Sequence, residues 1–120
     1  MDSTQAMVTI YHNPRCSKSR QTLELLRERG IEPAIVLYLE TPPDAATLKE
    51  LLRKLGMGAR QLLRTGEPEH AEAGLDDPGL DEDAIIAAMV RHPRLIERPI
   101  VIAGARAALG RPPENVLAIL

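Results

Sequence analysis

The chain has 120 residues, of which 44% are hydrophobic and 27% are charged, and its formal net charge is −2. This length fits a single domain, and the near-neutral charge gives no indication of binding to nucleic acid or to an anionic membrane. There is one cysteine, and Phe and Trp are absent. The single cysteine excludes an internal disulfide, a cysteine-rich zinc site and an intramolecular dithiol cycle, so redox chemistry at Cys16 requires a thiol from another molecule.

The beginning of the sequence carries no targeting pattern. Residues 1–6 lack the basic and apolar regions of a signal peptide, and we expect them to form a flexible N-terminus. No stretch approaches the 18 or so apolar residues of a transmembrane helix. We therefore expect a cytoplasmic protein of one domain, residues 1–120, in which Cys16 is a free thiol.

The first third of the sequence predicts a strand, a helix and a second strand. Residues 7–11 are short, β-branched and followed by polar and proline residues, which is typical of a strand that ends in a loop. Residues 17–29 then predict a helix that ends at Gly30. Residues 34–39 form a nearly continuous apolar run, which predicts a second strand and a buried one.

The middle of the chain is predicted to be helical. Four leucines within residues 48–55 have the i, i+3, i+4, i+7 spacing of an amphipathic helix, and Asp44 is a candidate N-cap. Residues 59–63 favour one or two helical turns, and residues 81–91 predict a further helix. Between them the sequence is acidic: residues 64–83 carry eight Asp or Glu against a single base.

The last third predicts two strands and a helix. Residues 99–102 and 106–109 are short apolar segments that a turn at Gly104 joins into a hairpin. Pro112 suits the first position of a final helix. The residues that this helix is predicted to bury are Val116, Leu117 and Leu120.

The order of these elements is β-α-β, several helices, then β-β-α. The first unit implies two parallel strands, and the last two strands are close enough in sequence to pair antiparallel. The pattern predicts an α/β protein with a thioredoxin-like mixed four-stranded sheet and a helical insertion between the βαβ and ββα halves.

Cys16 lies at the junction between the first strand and the first helix. A thiol at a helix N-terminus faces unpaired backbone N–H groups and the positive end of the helix dipole, and both favour the thiolate. The same N–H groups can hold an oxyanion, so nucleophile and anion site would coincide. The alternative interpretation is a small buried thiol without chemistry.

Two neighbours of Cys16 also have two interpretations each. His12 either hydrogen-bonds the loop or lies beside the thiolate and tunes it. Ser19 is either an exposed residue of the first turn or a hydroxyl donor to the thiolate.

A phosphatase loop of the form Cys-x5-Arg is excluded, because Arg20 follows Cys16 by only four residues. The three histidines have no metal-ligand spacing, so we expect no metal site.

A series of short motifs runs through the chain in order. They are residues 11–16 (YHNPRC), 19–20 (SR), 37–43 (LYLETPP), 62–64 (LLR), 92–93 (HP), 97–101 (ERPIV) and 110–114 (GRPPE). Together they resemble the ArsC family of glutathione- and glutaredoxin-coupled arsenate reductases, in its short chromosomal branch, over residues 7–120. The resemblance implies a thioredoxin-like fold and the reduction of arsenate in arsenic detoxification.

The resemblance also implies the site and its partners. By it, the site residues are Cys16 as the catalytic nucleophile, His12 and Ser19 as thiolate-tuning residues, Arg64, Arg98 and Arg111 as oxyanion-binding residues, and Pro99 as a structural cis-proline. The Cys16 thiolate is implied to attack arsenate and form a thiol-arsenate intermediate. Glutathione as co-substrate and glutaredoxin as partner are implied to complete the reduction to arsenite, without a bound cofactor or metal.

Two other functions stay open at this stage. Transcription regulators that bind RNA polymerase share this fold, but many of them carry Cys-x-x-Cys, where this chain has Ser19. The second is an ArsC-like thiol oxidoreductase that acts on another substrate, because arsenate and phosphate share their shape and charge.

Overall fold

A computed structural model of the chain describes residues 8–120. They form two compact units, one made of residues 8–41 and 98–120 and the other of residues 42–97. The second unit corresponds to the predicted helical insertion. The expectations for residues 1–6, and for a first strand that begins at residue 7, lie outside the described residues.

The first unit is built on a mixed four-stranded sheet. Its elements are β1 (Val8–Tyr11), α1 (Ser17–Glu28), β2 (Ala34–Val36), β3 (Ile100–Ala103), β4 (Arg106–Leu109) and a 3₁₀ helix over Pro113–Ile119. The strand order is β2-β1-β3-β4. The β1–β2 pair is parallel, whereas the β1–β3 and β3–β4 pairs are antiparallel. This topology confirms the predicted fold class.

The core of the first unit lies between the sheet and α1. Its fully or largely buried members are Val8, Ile10, Leu23, Leu26, Val101 and Val116. Residues two apart on a strand share a face, as do residues three apart on a helix, so short apolar segments are sufficient to build this layer. Each such side chain contributes about 1.5–3 kcal/mol when it is fully buried.

The register of the two central strands determines what lies at the end of the sheet. Tyr11, the last residue of β1, pairs with Ile100, the first residue of β3. Since the two strands are antiparallel, the loop that follows β1 and the segment that precedes β3 lie at the same end of these strands. Cys16 is in that loop, and Arg98 is in that segment.

Two sequence-based predictions of burial were only partly correct. The apolar run 34–39 contains the predicted strand, but only as the three-residue β2; Tyr38 is buried, whereas Ala34 and Ile35 are exposed. The reason is topological: β2 is the edge strand and pairs with β1 on one side only, while the chain turns after Leu37 through backbone bonds to its carbonyl. At the C-terminus Val116 is buried as predicted, but Leu120 is 46% exposed.

The second unit consists of helices. They are α2 (Ala45–Leu55), α3 (Ala59–Leu62), α4 (Pro68–Glu72), α5 (Glu82–Arg91) and a 3₁₀ turn over Pro93–Leu95. Asp44 caps α2 as predicted, since its Oδ1 accepts a 2.8 Å hydrogen bond from the Thr47 N–H. Over residues 8–120, every helix is too short or too polar to cross a bilayer.

A short antiparallel bridge connects the segment after α3 with the segment after α5. Leu63 pairs with Ile96. On either side of this pair, the Arg64 N–H donates to Leu95 O at 2.7 Å, and the Glu97 N–H donates to Leu62 O at 2.9 Å. The bridge thereby fixes the backbone positions of Arg64 and Glu97 relative to each other.

Candidate active site

Cys16 is the N-cap residue of α1. Its backbone is extended (φ −95°, ψ 123°), and its carbonyl accepts the first helical bond, from the Arg20 N–H at 3.0 Å. The Cys16 N–H in turn donates to Asn13 O at 3.0 Å. The side chain is 9% exposed, so the sulfur lies at the positive end of a 12-residue helix and close to the surface.

The surroundings of Cys16 favour its thiolate. Burial by itself raises the pKa of the Cys16 thiol. That effect is outweighed by a hydrogen bond from the Ser19 backbone N–H, the positive charge of Arg98, a second bond from the Lys18 N–H and a hydrogen bond from the Arg98 side chain, so the pKa of Cys16 is lowered overall. These donors belong to the helix terminus and to one guanidinium, both of which stabilise a negative sulfur.

Ser19 is fully buried, and its hydroxyl is directed to the loop. Its Oγ lies 2.6 Å from His12 Nδ1 and accepts a 3.0 Å hydrogen bond from the Asn13 N–H. Of the two interpretations of Ser19, the exposed residue of the first turn is therefore wrong. Ser19 contributes its backbone N–H to the thiolate, and its side chain connects His12 to the loop that carries Cys16.

His12 is favoured in its neutral form. It is 6% exposed, and its backbone N–H donates to Val36 O at 2.9 Å. Burial first, and then the positive charges of Arg27 and Arg20, lower the pKa of His12. A neutral imidazole brings no positive charge to the sulfur. Its ring is connected to the first turn of α1 by the hydrogen bond to Ser19.

The loop between β1 and α1 is also held by side chains of its own. The Asn13 carboxamide accepts from the Arg15 N–H at 3.0 Å, an Asx-type contact that is usual in turns. Arg20 Nη1 donates to Pro14 O at 2.8 Å. Both contacts hold the loop that leads into the N-terminus of α1, and the backbone N–H groups of a first helical turn are able to hold an anion.

The segment that precedes β3 carries the second half of the site. The Arg98–Pro99 peptide bond is cis, as the resemblance implied for Pro99, which is buried. Pro99 O accepts from the Gly110 N–H at 3.0 Å. A Cβ on Gly110 would collide with Thr22 Oγ1 and come within 2.8 Å of Pro99 Cγ. Only glycine permits this close approach to α1, a requirement that the sequence pattern did not reveal.

Arg111 belongs to the same neighbourhood as Arg98. Its Nη1 donates to Arg98 O at 3.1 Å, and its own carbonyl accepts from the Asn115 side chain. The Arg111–Pro112 bond is also cis, which the sequence analysis did not anticipate. Two of the three arginines predicted to bind an oxyanion are thus brought together in the unit that contains Cys16.

Arg64 belongs to the other unit, and its participation in the site stays a prediction. It pairs with Glu67 at 2.9 Å (Nη1–Oε1) and with Glu97 at 3.5 Å (Nε–Oε1). Sequence spacing gave no signal for Glu97, which the Leu63–Ile96 bridge brings next to Arg64. In the described part of the chain, no group of three His, Cys, Asp or Glu side chains could hold a metal ion.

Comparisons with known proteins agree with this architecture. The family model described as "ArsC family" matches residues 11–119. The arsenate reductase of Neisseria meningitidis serogroup B is 53% identical over 114 residues, which cover 94% of this chain and 97% of the relative. YfgD, an uncharacterized protein of Escherichia coli K12, is 60% identical over 114 residues, 94% of this chain and 96% of its own.

The solved structures give the same answer for the fold. The arsenate reductase from Vibrio cholerae superposes with a TM-score of 0.92 at 52% identity, covering 94% of this chain and 97% of that one. This similarity confirms the thioredoxin-like α/β fold with its helical insertion. With a family match over almost the whole chain, this protein belongs to the ArsC family.

Proposed function

We propose that this protein is an arsenate reductase that uses glutathione and glutaredoxin. The observation that carries the proposal is the Cys16 sulfur at the N-terminus of α1, where two backbone N–H groups and Arg98 lower its pKa. A thiolate nucleophile and a set of anion-binding donors meet at one point. The relatives named arsenate reductase, over 94% of this chain, indicate which tetrahedral oxyanion is the substrate.

In the first step the Cys16 thiolate attacks the arsenic of arsenate. A sulfur–arsenic bond forms and one arsenic–oxygen bond breaks, and the departing oxygen leaves as water after taking up protons from solvent. The N–H groups of Lys18 and Ser19 stabilise the thiolate before the attack. They then remain as donors to the oxygens of the thiol-arsenate intermediate.

Arginine side chains bind the oxygens that do not leave. Arg98 is near enough to Cys16 to lower its pKa, and Arg111 Nη1 donates a hydrogen bond to the Arg98 carbonyl. Arg64 is the third proposed ligand of the oxyanion, and it is assigned by the family motif at residues 62–64. Forked guanidinium donors match the geometry and charge of a tetrahedral oxyanion.

The electrons come from thiols outside the chain. The sequence has a single cysteine, so a glutathione thiol adds to the arsenic of the intermediate and displaces a second oxygen. A glutaredoxin thiol then attacks the glutathione sulfur. One disulfide forms between the two external thiols, and the electron pair of the broken sulfur–arsenic bond stays on arsenic, which becomes trivalent. A water molecule then hydrolyses the remaining bond between Cys16 and arsenic, so that its oxygen goes to arsenite and its proton to the Cys16 sulfur. A compartment rich in reduced glutathione, the cytoplasm, supplies these partners.

Arsenate-dependent oxidation of NADPH tests the proposal. The reaction contains glutathione, glutaredoxin and glutathione reductase, and it compares the natural chain with Cys16→Ser. We expect a rate that requires arsenate, glutaredoxin and Cys16 together. A rate no higher than that of Cys16→Ser would refute the activity. A rate that persists without glutaredoxin would refute the proposed coupling while leaving arsenate reduction in place.

A further inference from the structure

The guanidinium of Arg64 is held between two carboxylates. Its Nη1 donates to Glu67 Oε1 at 2.9 Å, and its Nε lies 3.5 Å from Glu97 Oε1. All three side chains are largely shielded from solvent: Glu67 is 16% exposed, Arg64 25% and Glu97 26%. Within residues 8–120, these two contacts use Nη1 and Nε of Arg64, and its Nη2 nitrogen donates to neither Glu67 nor Glu97.

The backbone explains why these groups meet. The bridge between Leu63 and Ile96 places Arg64 and Glu97 directly after its two paired residues, and each of them makes a backbone hydrogen bond across it. Glu67 follows Arg64 by three residues and is the N-cap residue of α4. The arrangement therefore depends on rigid backbone contacts and not on the chance approach of two flexible side chains.

The charge around Arg64 is negative. Arg94 also lies near Glu67, at 3.7 Å, and near Glu69, at 3.9 Å, but its side chain is 61% exposed. The cluster of Arg64, Arg94, Glu67, Glu69 and Glu97 thus holds three carboxylates against two guanidiniums. An oxyanion that binds to Arg64 must approach at least two fixed negative charges, and like charges weaken such binding.

We infer that Glu67 and Glu97 are positioning residues that hold the Arg64 guanidinium and at the same time lower its affinity for the oxyanion. The inference rests on the proposed role of Arg64 as an oxyanion ligand. The two carboxylates engage Nη1 and Nε and leave Nη2 to the anion. They oppose tight binding of the tetrahedral dianion in the ground state, which would otherwise retain arsenate or the more abundant phosphate at the site.

The test replaces a carboxylate by the isosteric amide. Glu67→Gln keeps an oxygen that accepts from Arg64 Nη1 and removes one negative charge. Isothermal titration calorimetry with inorganic phosphate, a tetrahedral oxyanion that thiols do not reduce, then measures binding without turnover. Removing one charge a few ångströms from a dianion should tighten the phosphate Kd by about threefold to tenfold. The KM for arsenate should fall in parallel.

Matched variants separate this inference from the proposed function. Glu50→Gln removes an equally charged partner of an arginine, Arg53, on the exposed face of α2, and it should leave the phosphate Kd unchanged. Arg64→Ala removes the proposed ligand itself and should weaken phosphate binding.

Each outcome gives a definite result. If Arg64→Ala weakens phosphate binding but Glu67→Gln leaves the Kd unchanged or weakens it, the inference about the carboxylates is wrong and the role of Arg64 stands. If Arg64→Ala has no effect on binding, both the role of Arg64 and the inference are overturned. A lower thermal midpoint of Glu67→Gln with an unchanged Kd would show a purely structural ion pair.

Discussion

Arg98 is the one side chain among the described groups that lower the pKa of Cys16. We expect Arg98→Gln to raise the pKa of Cys16, because it removes the positive charge and leaves the backbone N–H groups of Lys18 and Ser19 in place. An opposite charge in contact with an ionisable group shifts its pKa by about one to three units. Arg98 is only half-buried, so we expect the low end of that range, about one unit.

The same number follows from electrostatics. Two unit charges 4 Å apart interact by about 1 kcal/mol in water and about 4 kcal/mol at a dielectric constant of 20. One pKa unit corresponds to about 1.4 kcal/mol, which lies between these limits. Below both pKa values, a rise of one unit lowers the thiolate fraction about tenfold. The more basic thiolate is about threefold more nucleophilic, so the net rate should fall about threefold.

The assay is alkylation by iodoacetamide as a function of pH. The natural chain should react with a midpoint below the pKa of an ordinary thiol, and Arg98→Gln should shift that midpoint upward. Arg53→Gln, an exposed arginine on α2, is the control and should leave it unchanged. An identical midpoint in Arg98→Gln and the natural chain would refute the role of Arg98 in stabilising the thiolate.

Two further predictions concern stability. Gly110→Ala should lower the free energy of unfolding by about 1–3 kcal/mol in urea titrations, since the new methyl group overlaps Thr22 and Pro99. The control is Gly66→Ala, whose added Cβ meets nothing within 4 Å. Equal losses in the two variants would contradict the packing argument. The lowered pKa of His12 means that its contribution to stability is complete above the unfolded-state value of about 6.5 and is lost as the pH falls through the folded-state value. Between pH 7 and 5 the free energy of unfolding should therefore decrease more steeply for the natural chain than for His12→Gln, and parallel curves would show that the His12 environment does not distinguish the two protonation states.

The sequence was sufficient for features that depend on neighbouring residues. Residue spacing alone indicates that Cys16 begins a helix and that Asp44 caps another, because capping requires only a loop followed by an amphipathic segment. The hairpin through Gly104 is equally local: its φ of 64° is a conformation that glycine adopts without strain. The resemblance carried by residues 97–101 also predicted the cis peptide bond between Arg98 and Pro99.

Features that depend on distant parts of the chain were missed or misread. The apolar run at 34–39 was assigned a buried position, but burial depends on strand order, and β2 is at the edge. The direction of the Ser19 hydroxyl depends on the path of the loop, which brings the His12 ring and the Asn13 N–H within hydrogen-bond distance of it. The need for glycine at position 110 appears only when β4 and α1 are packed together.

The pairing of Tyr11 with Ile100 couples the chemistry of the thiol to the folding of the chain. Cys16 and Arg98 are distant in sequence, and they meet only after the first and third strands have found their register. A slip of one residue would move the following segment by about 3.3 Å and invert its faces. In the denatured chain the sulfur loses both the helix terminus and the guanidinium, and its acidity returns to that of an ordinary thiol. The thiolate fraction of Cys16 at neutral pH therefore depends on whether the central strands of the sheet have paired.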